Sequence, residues 1–268
     1  MMRSSDERHN RGGFGLAAMF GLRERHALIT GATRGLGFEM ARGLGEAGAK
    51  VWVNGRTEAG CLAAAAKLTA AGVDAKPAPF DVADWSAASE ALQRIDAEAA
   101  VDILVCNVGV RLRAPIEDIS AEAYSDHLAT NLVAPYSLAR AAAIGMKARG
   151  WGRIILLSSM SASHARAGDI AYISAKGGVE ALTRALACEY GSFGVTANAI
   201  APGPFATETN LPLVNNPEAR ARIAERSPTG RYGEPSEIAG ACVFLASAAG
   251  SYVNGHTLFV DGGFTIAT

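Results

Sequence analysis

Cysteine is scarce in this chain: Cys61, Cys106, Cys188 and Cys242 are the only four, and none stands at a paired or metal-type spacing. That excludes a disulfide framework. Three of the four lie in apolar contexts, as reduced buried thiols do, so the expected compartment is the cytoplasm. A charge excess is lacking too: 25 Lys and Arg against 26 Asp and Glu leave a formal net charge of −1. No nucleic-acid surface is expected from that balance. The five histidines are scattered, and no H-x-x-x-H pair points to a metal. Long apolar runs are missing: Phe14 to Leu22 is short and interrupted by glycines, and no signal-peptide cleavage site follows it. A membrane partner is therefore not expected. Repeats and low-complexity tracts are absent, and Ala63-Ala64-Ala65-Ala66 is ordinary helix composition.

The chain has 268 residues, 49% of them hydrophobic, which suits one α/β domain with a large core. Short runs, most of them β-branched, read as strands near 26–30, 50–54, 74–79, 101–106, 152–158, 194–200 and 256–260. Ala-rich helical patterns lie between them, near 35–47, 58–71, 85–98, 121–149, 170–191 and 235–247. This alternation predicts a single Rossmann-type, doubly wound parallel sheet of about seven strands with helices on both faces. The domain spans residues 21–268, preceded by a polar, flexible extension over 1–20. The segment 204–231, with Pro204, Pro212, Pro217 and Pro228, breaks the rhythm and reads as a substrate-covering loop.

The most informative spacing is S-x12-Y-x3-K, formed by Ser159, Tyr172 and Lys176. Tyr and Lys at i and i+4 share one helix face. A free phenol gives up its proton only near about pH 10, and a nearby ammonium favours the phenolate. With Ser159 donating to a substrate oxygen and Tyr172 moving the proton, the set can reduce a carbonyl or oxidise an alcohol. A solvated surface pair is the alternative reading of Tyr172 and Lys176 taken alone.

A second motif lies upstream, Thr30-Gly31-Ala32-Thr33-Arg34-Gly35-Leu36-Gly37, after the apolar run Ala27-Leu28-Ile29. Strand, glycine turn and helix start form the arrangement that binds a pyrophosphate. Gly43-Leu44-Gly45-Glu46-Ala47-Gly48 satisfies G-x-G-x-x-G literally but precedes a strand. That is the wrong context, and it reads as helix termination and close packing.

Together these motifs resemble the short-chain dehydrogenase/reductase family, from about Leu22 to Thr268. Asp81-Val82, Cys106-Asn107-Val108-Gly109, Asn131 and Pro202-Gly203 match it as well, with Val108 where the family usually has alanine. The resemblance implies a catalytic set of Asn131, Ser159, Tyr172 and Lys176, with Asn131 holding a water that relays protons through Lys176. It implies a cofactor set with Gly31, Arg34, Gly35, Leu36 and Gly37 at the pyrophosphate, and Asp81 and Val82 around the adenine. Asn107 and Gly109 would lie along the ribose, Tyr172 and Lys176 beside it, and Pro202 and Gly203 near the nicotinamide. Ser158 and Tyr190 read as structural.

Gly55 occupies the slot where NAD-dependent members of the family usually carry Asp, and Arg56 follows it. Two guanidiniums, Arg34 and Arg56, without a carboxylate favour the 2′-phosphate of NADP, with NAD kept open. Asn198 to Glu208, Gly230 to Pro235 and Val253 to Gly263 resemble the gluconate 5-dehydrogenase branch. That resemblance implies a small-molecule carbonyl or alcohol substrate, a sugar acid or polyol. Arg113, His164 and Arg166 are candidate carboxylate ligands, with solvated surface positions as the other reading. A 3-oxoacyl-acyl-carrier-protein reductase and a non-catalytic NADP-binding regulator stay open. The family's assembly implies a homotetramer. Leu128, Leu132, Tyr136, Leu138 and the ending Leu258-Phe259-Val260 suit either subunit contacts or the monomer core.

Overall fold

The computed structural model of the chain describes residues 15–267. Residues 1–14 of the expected extension lie outside them. Leu16–Phe20 forms a short helix, α1, beside the turn at Ala248–Gly250. Seven strands follow: β1 (His26–Ile29), β2 (Lys50–Gly55), β3 (Ala75–Pro79), β4 (Ile103–Cys106), β5 (Gly152–Leu157), β6 (Val195–Pro202) and β7 (Thr257–Val260). All pair in parallel, in the order β3-β2-β1-β4-β5-β6-β7. The order reverses between β1 and β4, which opens a crevice at their carboxyl ends.

The helices are α2 (Gly35–Glu46), α3 (Glu58–Ala70), α4 (Trp85–Glu98), α5 (Ala121–Leu128), α6 (Ala134–Arg149), α7 (Ile170–Tyr190), α8 (Leu211–Val214), α9 (Pro217–Arg226) and α10 (Glu237–Ala246). Successive strand residues point to opposite faces, so the apolar strands serve two cores. Leu28, Leu104, Ile154 and Leu156 pack with α4, α6 and α7, while Ile29, Val53, Val105 and Ile155 pack with α2, α3 and α10. Polar residues start the intervening helices: Thr57, Asp84 and Ser120 each accept an N–H from the first turn that follows.

Where the sequence predicts one helix over 121–149, the structure has two, joined by a π-helical turn at Ala129–Val133. Pro135 explains part of the break. It has no N–H to offer the carbonyl four residues back, which is that of Asn131. The upstream G-x-G-x-x-G lies within and just after α2, as its context implied. A Cβ at Gly43 would stand 2.8 Å from Ala239 Cβ of α10, and Gly48 ends the helix with φ +105. Tyr190 packs on the core, as expected, and Leu138 is wholly buried in it.

Past β6 the segment 204–231 carries α8 and α9. Its two ends are stitched together. Ala206 N–H donates to the Gly233 carbonyl and Gly233 N–H to that of Pro204, both at 2.9 Å, around the isolated bridge Phe205↔Gly233. Cys61, Cys106 and Cys242 are buried free thiols, and Cys188 is exposed. No helix among the described residues is long and apolar enough to cross a membrane.

Candidate active site

A cleft of about 850 Å³ runs along the carboxyl ends of the strands. At one end is the turn from β1 into α2. Gly31 and Gly35 have φ of +62 and +58, which a side chain would strain. A Cβ at Gly37 would overlap the Gly31 carbonyl oxygen and lie 2.5 Å from Asn107 Nδ2. Glycine there lets the first turn of α2 close onto the loop, so its N–H groups point at the cleft as an anion requires. Gly37 supports the loop from behind; Gly31, Arg34, Gly35 and Leu36 line the cleft itself.

Polar side chains brace this turn. Asn107 Nδ2 donates to the carbonyls of Thr30 and Gly31, both at 3.1 Å. Asn54 Oδ1 accepts from Gly31 N–H at 3.3 Å, and its Nδ2 donates to the carbonyls of Ala78 and Phe80, both at 3.0 Å. Asn54 is a buried cross-link between β2, β3 and the loop that the motif reading missed. Arg34 caps α2 and Arg56 follows β2; both are exposed and both line the cleft, with Asp81 and Val82 beside them. No carboxylate ends β2. The residues thus fit a dinucleotide carrying a third phosphate.

At the other end stand Ser159, Tyr172 and Lys176. Ser159 Oγ accepts from Ser161 N–H at 3.1 Å, which leaves its own proton free to donate. Lys176 is buried and donates to the Leu157 carbonyl at 2.6 Å. Burial pulls its ammonium down to about 8, against a smaller opposing influence of Cys106. Lys176 Nζ lies 5.7 Å from the centre of the Tyr172 ring. Ser158, one residue out of register, also lines the cleft and donates to Glu180 Oε1 at 2.8 Å.

Asn131 is fully buried and does not line the cleft. Its Nδ2 donates to the His127 carbonyl at 2.9 Å and its Oδ1 accepts from Val110 N–H at 3.1 Å. A Cβ at Gly109 would lie 3.3 Å from that Oδ1 and 3.4 Å from Lys176 Nζ, so Asn131 backs the part of the cleft that Gly109 and Lys176 line. Pro202 and Gly203 line the far side, with Thr207 and Glu208 from the stitched segment.

Of the three carboxylate candidates, Arg113 lines the cleft, while His164 and Arg166 lie outside its lining. Arg113 is joined there by Arg111, which the sequence did not single out. Arg111 Nη2 and Nε donate to the buried Asp169 carboxylate at 2.5 and 3.1 Å, and Arg113 Nε donates to it at 3.1 Å. Burial works to raise the Asp169 carboxyl, but hydrogen bonds from the two arginines outweigh it and hold the group below its usual range. No group of three His, Cys, Asp or Glu side chains suited to a metal occurs among the described residues.

Residues 31–265 match the family model described as enoyl-(acyl carrier protein) reductase. The chain is 39% identical over 250 residues to the gluconate 5-dehydrogenase of Gluconobacter oxydans, spanning 93% of this chain and 98% of that protein. It is 37% identical over 238 residues to a 3-oxoacyl-[acyl-carrier-protein] reductase of Vibrio harveyi, spanning 88% of this chain and 96% of that one. Among solved structures it matches a gluconate 5-dehydrogenase from Burkholderia cenocepacia in complex with NADP and tartrate. There the TM-score is 0.90 at 40% identity, covering 95% of this chain and all of the other.

Proposed function

Since the chain belongs to the short-chain dehydrogenase/reductase family, we propose that it is an NADP(H)-dependent oxidoreductase interconverting a secondary alcohol and a ketone on a sugar acid or polyol. One observation carries this reading: Ser159, Tyr172 and Lys176 meet at one end of a single cleft whose other end is the glycine turn flanked by Arg34 and Arg56. The likeness over nearly the full length to gluconate 5-dehydrogenases supports the substrate class.

When bound, the dinucleotide supplies or accepts the hydride. Gly31, Gly35 and Leu36 hold its pyrophosphate, with Gly37 behind them. Arg34 and Arg56 hold the 2′-phosphate, and Asp81 and Val82 flank the adenine. Asn107 fixes the turn and with Gly109 would line the ribose, while Pro202 and Gly203 would flank the nicotinamide. Ser159 donates its free proton to the substrate oxygen. Tyr172 gives that oxygen a proton in reduction and takes it in oxidation. The Lys176 ammonium stabilises the charge that develops on the phenolic oxygen. Its donors not used by Leu157 would hold the nicotinamide ribose. Asn131 holds the water that relays protons through Lys176, as the family resemblance implies. Arg113 supplies a cation for the substrate carboxylate.

The resemblance to the Vibrio harveyi enzyme favours a second reading, reduction of an acyl thioester on an acidic carrier protein. A cofactor-binding regulator is disfavoured by the complete set of Asn131, Ser159, Tyr172 and Lys176. The assay is NADPH absorbance with keto sugar acids, acetoacetyl thioesters and simple diketones. Turnover of the keto sugar acids is expected, and turnover of thioesters alone would replace this reading with the second. Tyr172→Phe is expected to lower turnover by at least about a hundredfold while leaving NADPH binding largely intact.

The active assembly is a homotetramer. Val133, Tyr136 and Ile144, exposed on one side of α6 and its approach, and the open edge of β7 support this. A cytoplasmic location fits the free thiols. The oxidoreductase domain is residues 21–268, with the substrate loop at 204–231 and an accessory extension at 1–20.

A further inference from the structure

We propose that Arg111 is a positioning residue for Tyr172: clamped by the buried Asp169, its guanidinium lies on the face of the phenol ring and stabilises the phenolate that takes the substrate's proton. This rests on the reading of Tyr172 as the proton-transfer group.

Asp169 is wholly buried and stands immediately before α7, three residues ahead of Tyr172. A buried carboxylate is costly unless paired, and this one is paired to cations from a different segment of chain. Arg111 grips it through Nε and Nη2, the fork geometry that fixes the guanidinium plane. The same Nη2 reaches Ser161 Oγ at 3.3 Å, and Ser161 N–H bonds Ser159 Oγ. One network therefore ties Arg111 to the Ser159 hydroxyl and to the start of the helix that carries Tyr172. Within it, Arg111 Cζ lies 4.5 Å from the centre of the Tyr172 ring. A cation on a ring face attracts its π electrons, and attracts them more when the ring carries negative charge.

The other groups around Tyr172 do not duplicate this. From α7, the Lys176 ammonium is pulled down to about 8 by burial and sheds its charge as the pH rises through that range. From α5, the His127 ring meets Tyr172 edge-on at 6.3 Å, and burial, then Lys176, hold its protonation below the ordinary range. From β4, Cys106 faces Lys176 as a neutral thiol, pushed up to about 12 by burial. Ser159 is uncharged, and Asp169 is neutralised by Arg111 and Arg113. Above the range where Lys176 loses its proton, Arg111 is the group on Tyr172 that keeps a positive charge.

The test compares Arg111→Met, Arg111→Lys and the unaltered enzyme with NADP bound. The first readout is the alkaline ultraviolet transition that Tyr172→Phe removes, which needs no substrate. Arg111→Met is expected to move that transition up by about one pH unit and Arg111→Lys to move it less. An unmoved transition overturns the proposal, whatever the substrate proves to be. The second readout is kcat/KM for oxidation against pH, with an acidic sugar and a neutral polyol. An upward shift of the rising limb with both substrates supports the proposal. A KM increase confined to the acid, with the limb in place, overturns it and makes Arg111 a carboxylate ligand. A loss equal at every pH overturns it in favour of a structural role.

Discussion

A Cβ built at Gly55 would stand 2.5 Å from the Thr33 methyl and 3.3 Å from Cys61 Sγ, so an acid there meets crowding before it meets a ribose. The missing carboxylate is thus reinforced by the packing behind it. Gly55→Asp is expected to weaken NADPH at least about tenfold, by setting a carboxylate against the 2′-phosphate. Thr33→Ala added to it relieves the crowding and is expected to raise NADH affinity. Fluorescence titration with both cofactors reads the outcome, and NADPH affinity unchanged by Gly55→Asp would move the 2′-phosphate away from β2. The identity of residue 55 was legible in the sequence; its neighbours were not, because Thr33 comes from the β1 turn and Cys61 from α3. The same holds around Tyr172. Its relation to Lys176 is one helical turn and can be read from spacing, whereas Arg111 and Asp169 are 58 positions apart with no periodicity to connect them. A signal for Asp169 did exist, an acid immediately before a predicted helix, but not for what it would hold.

Two glycine motifs compete on α2, and the element they belong to decides between them. Gly37 faces the backbone of the β1 turn, while Gly43 faces Ala239 across the contact with α10. Gly37→Ala is expected to cost NADPH affinity, since a backbone carbonyl cannot step aside cheaply. Gly43→Val is expected to cost about 1–3 kcal/mol of stability through overpacking, with cofactor affinity retained in the protein that folds. Urea unfolding and cofactor titration of both variants separate the roles; loss of NADPH binding in folded Gly43→Val would make the second motif the phosphate loop. Elsewhere the elements were largely readable. Short apolar runs such as those of β1, β4 and β5 are buried along the sheet, and the predicted strand ends fall within two residues of the observed ones. The π-helical turn at Ala129–Val133 was not read. Its cue, Pro135, looked like an interior residue of one long helix, because the flanking composition is helical on both sides.

For the whole molecule, alternation of strands and helices made a parallel, doubly wound sheet predictable, while the order β3-β2-β1-β4-β5-β6-β7 came from the structure, because more than one order satisfies right-handed crossovers. Quaternary structure is not encoded that way. Leu138 and Tyr136 were equal candidates for a subunit face, yet Leu138 is in the core and Tyr136 is 48% exposed. Light scattering is expected to give a tetramer, and Val133→Asp with Ile144→Asp to lower the mass at unchanged circular dichroism; a monomer in the unaltered protein would sink the assembly. The stitched base at Phe205 and Gly233 has its own consequence. With the two ends already closed, the intervening chain behaves as a cassette. Doubling its length adds only about 0.6 kcal/mol of closure entropy. The scaffold can therefore be retargeted by grafting a different cassette while the sheet and the proton-transfer machinery stay as they are.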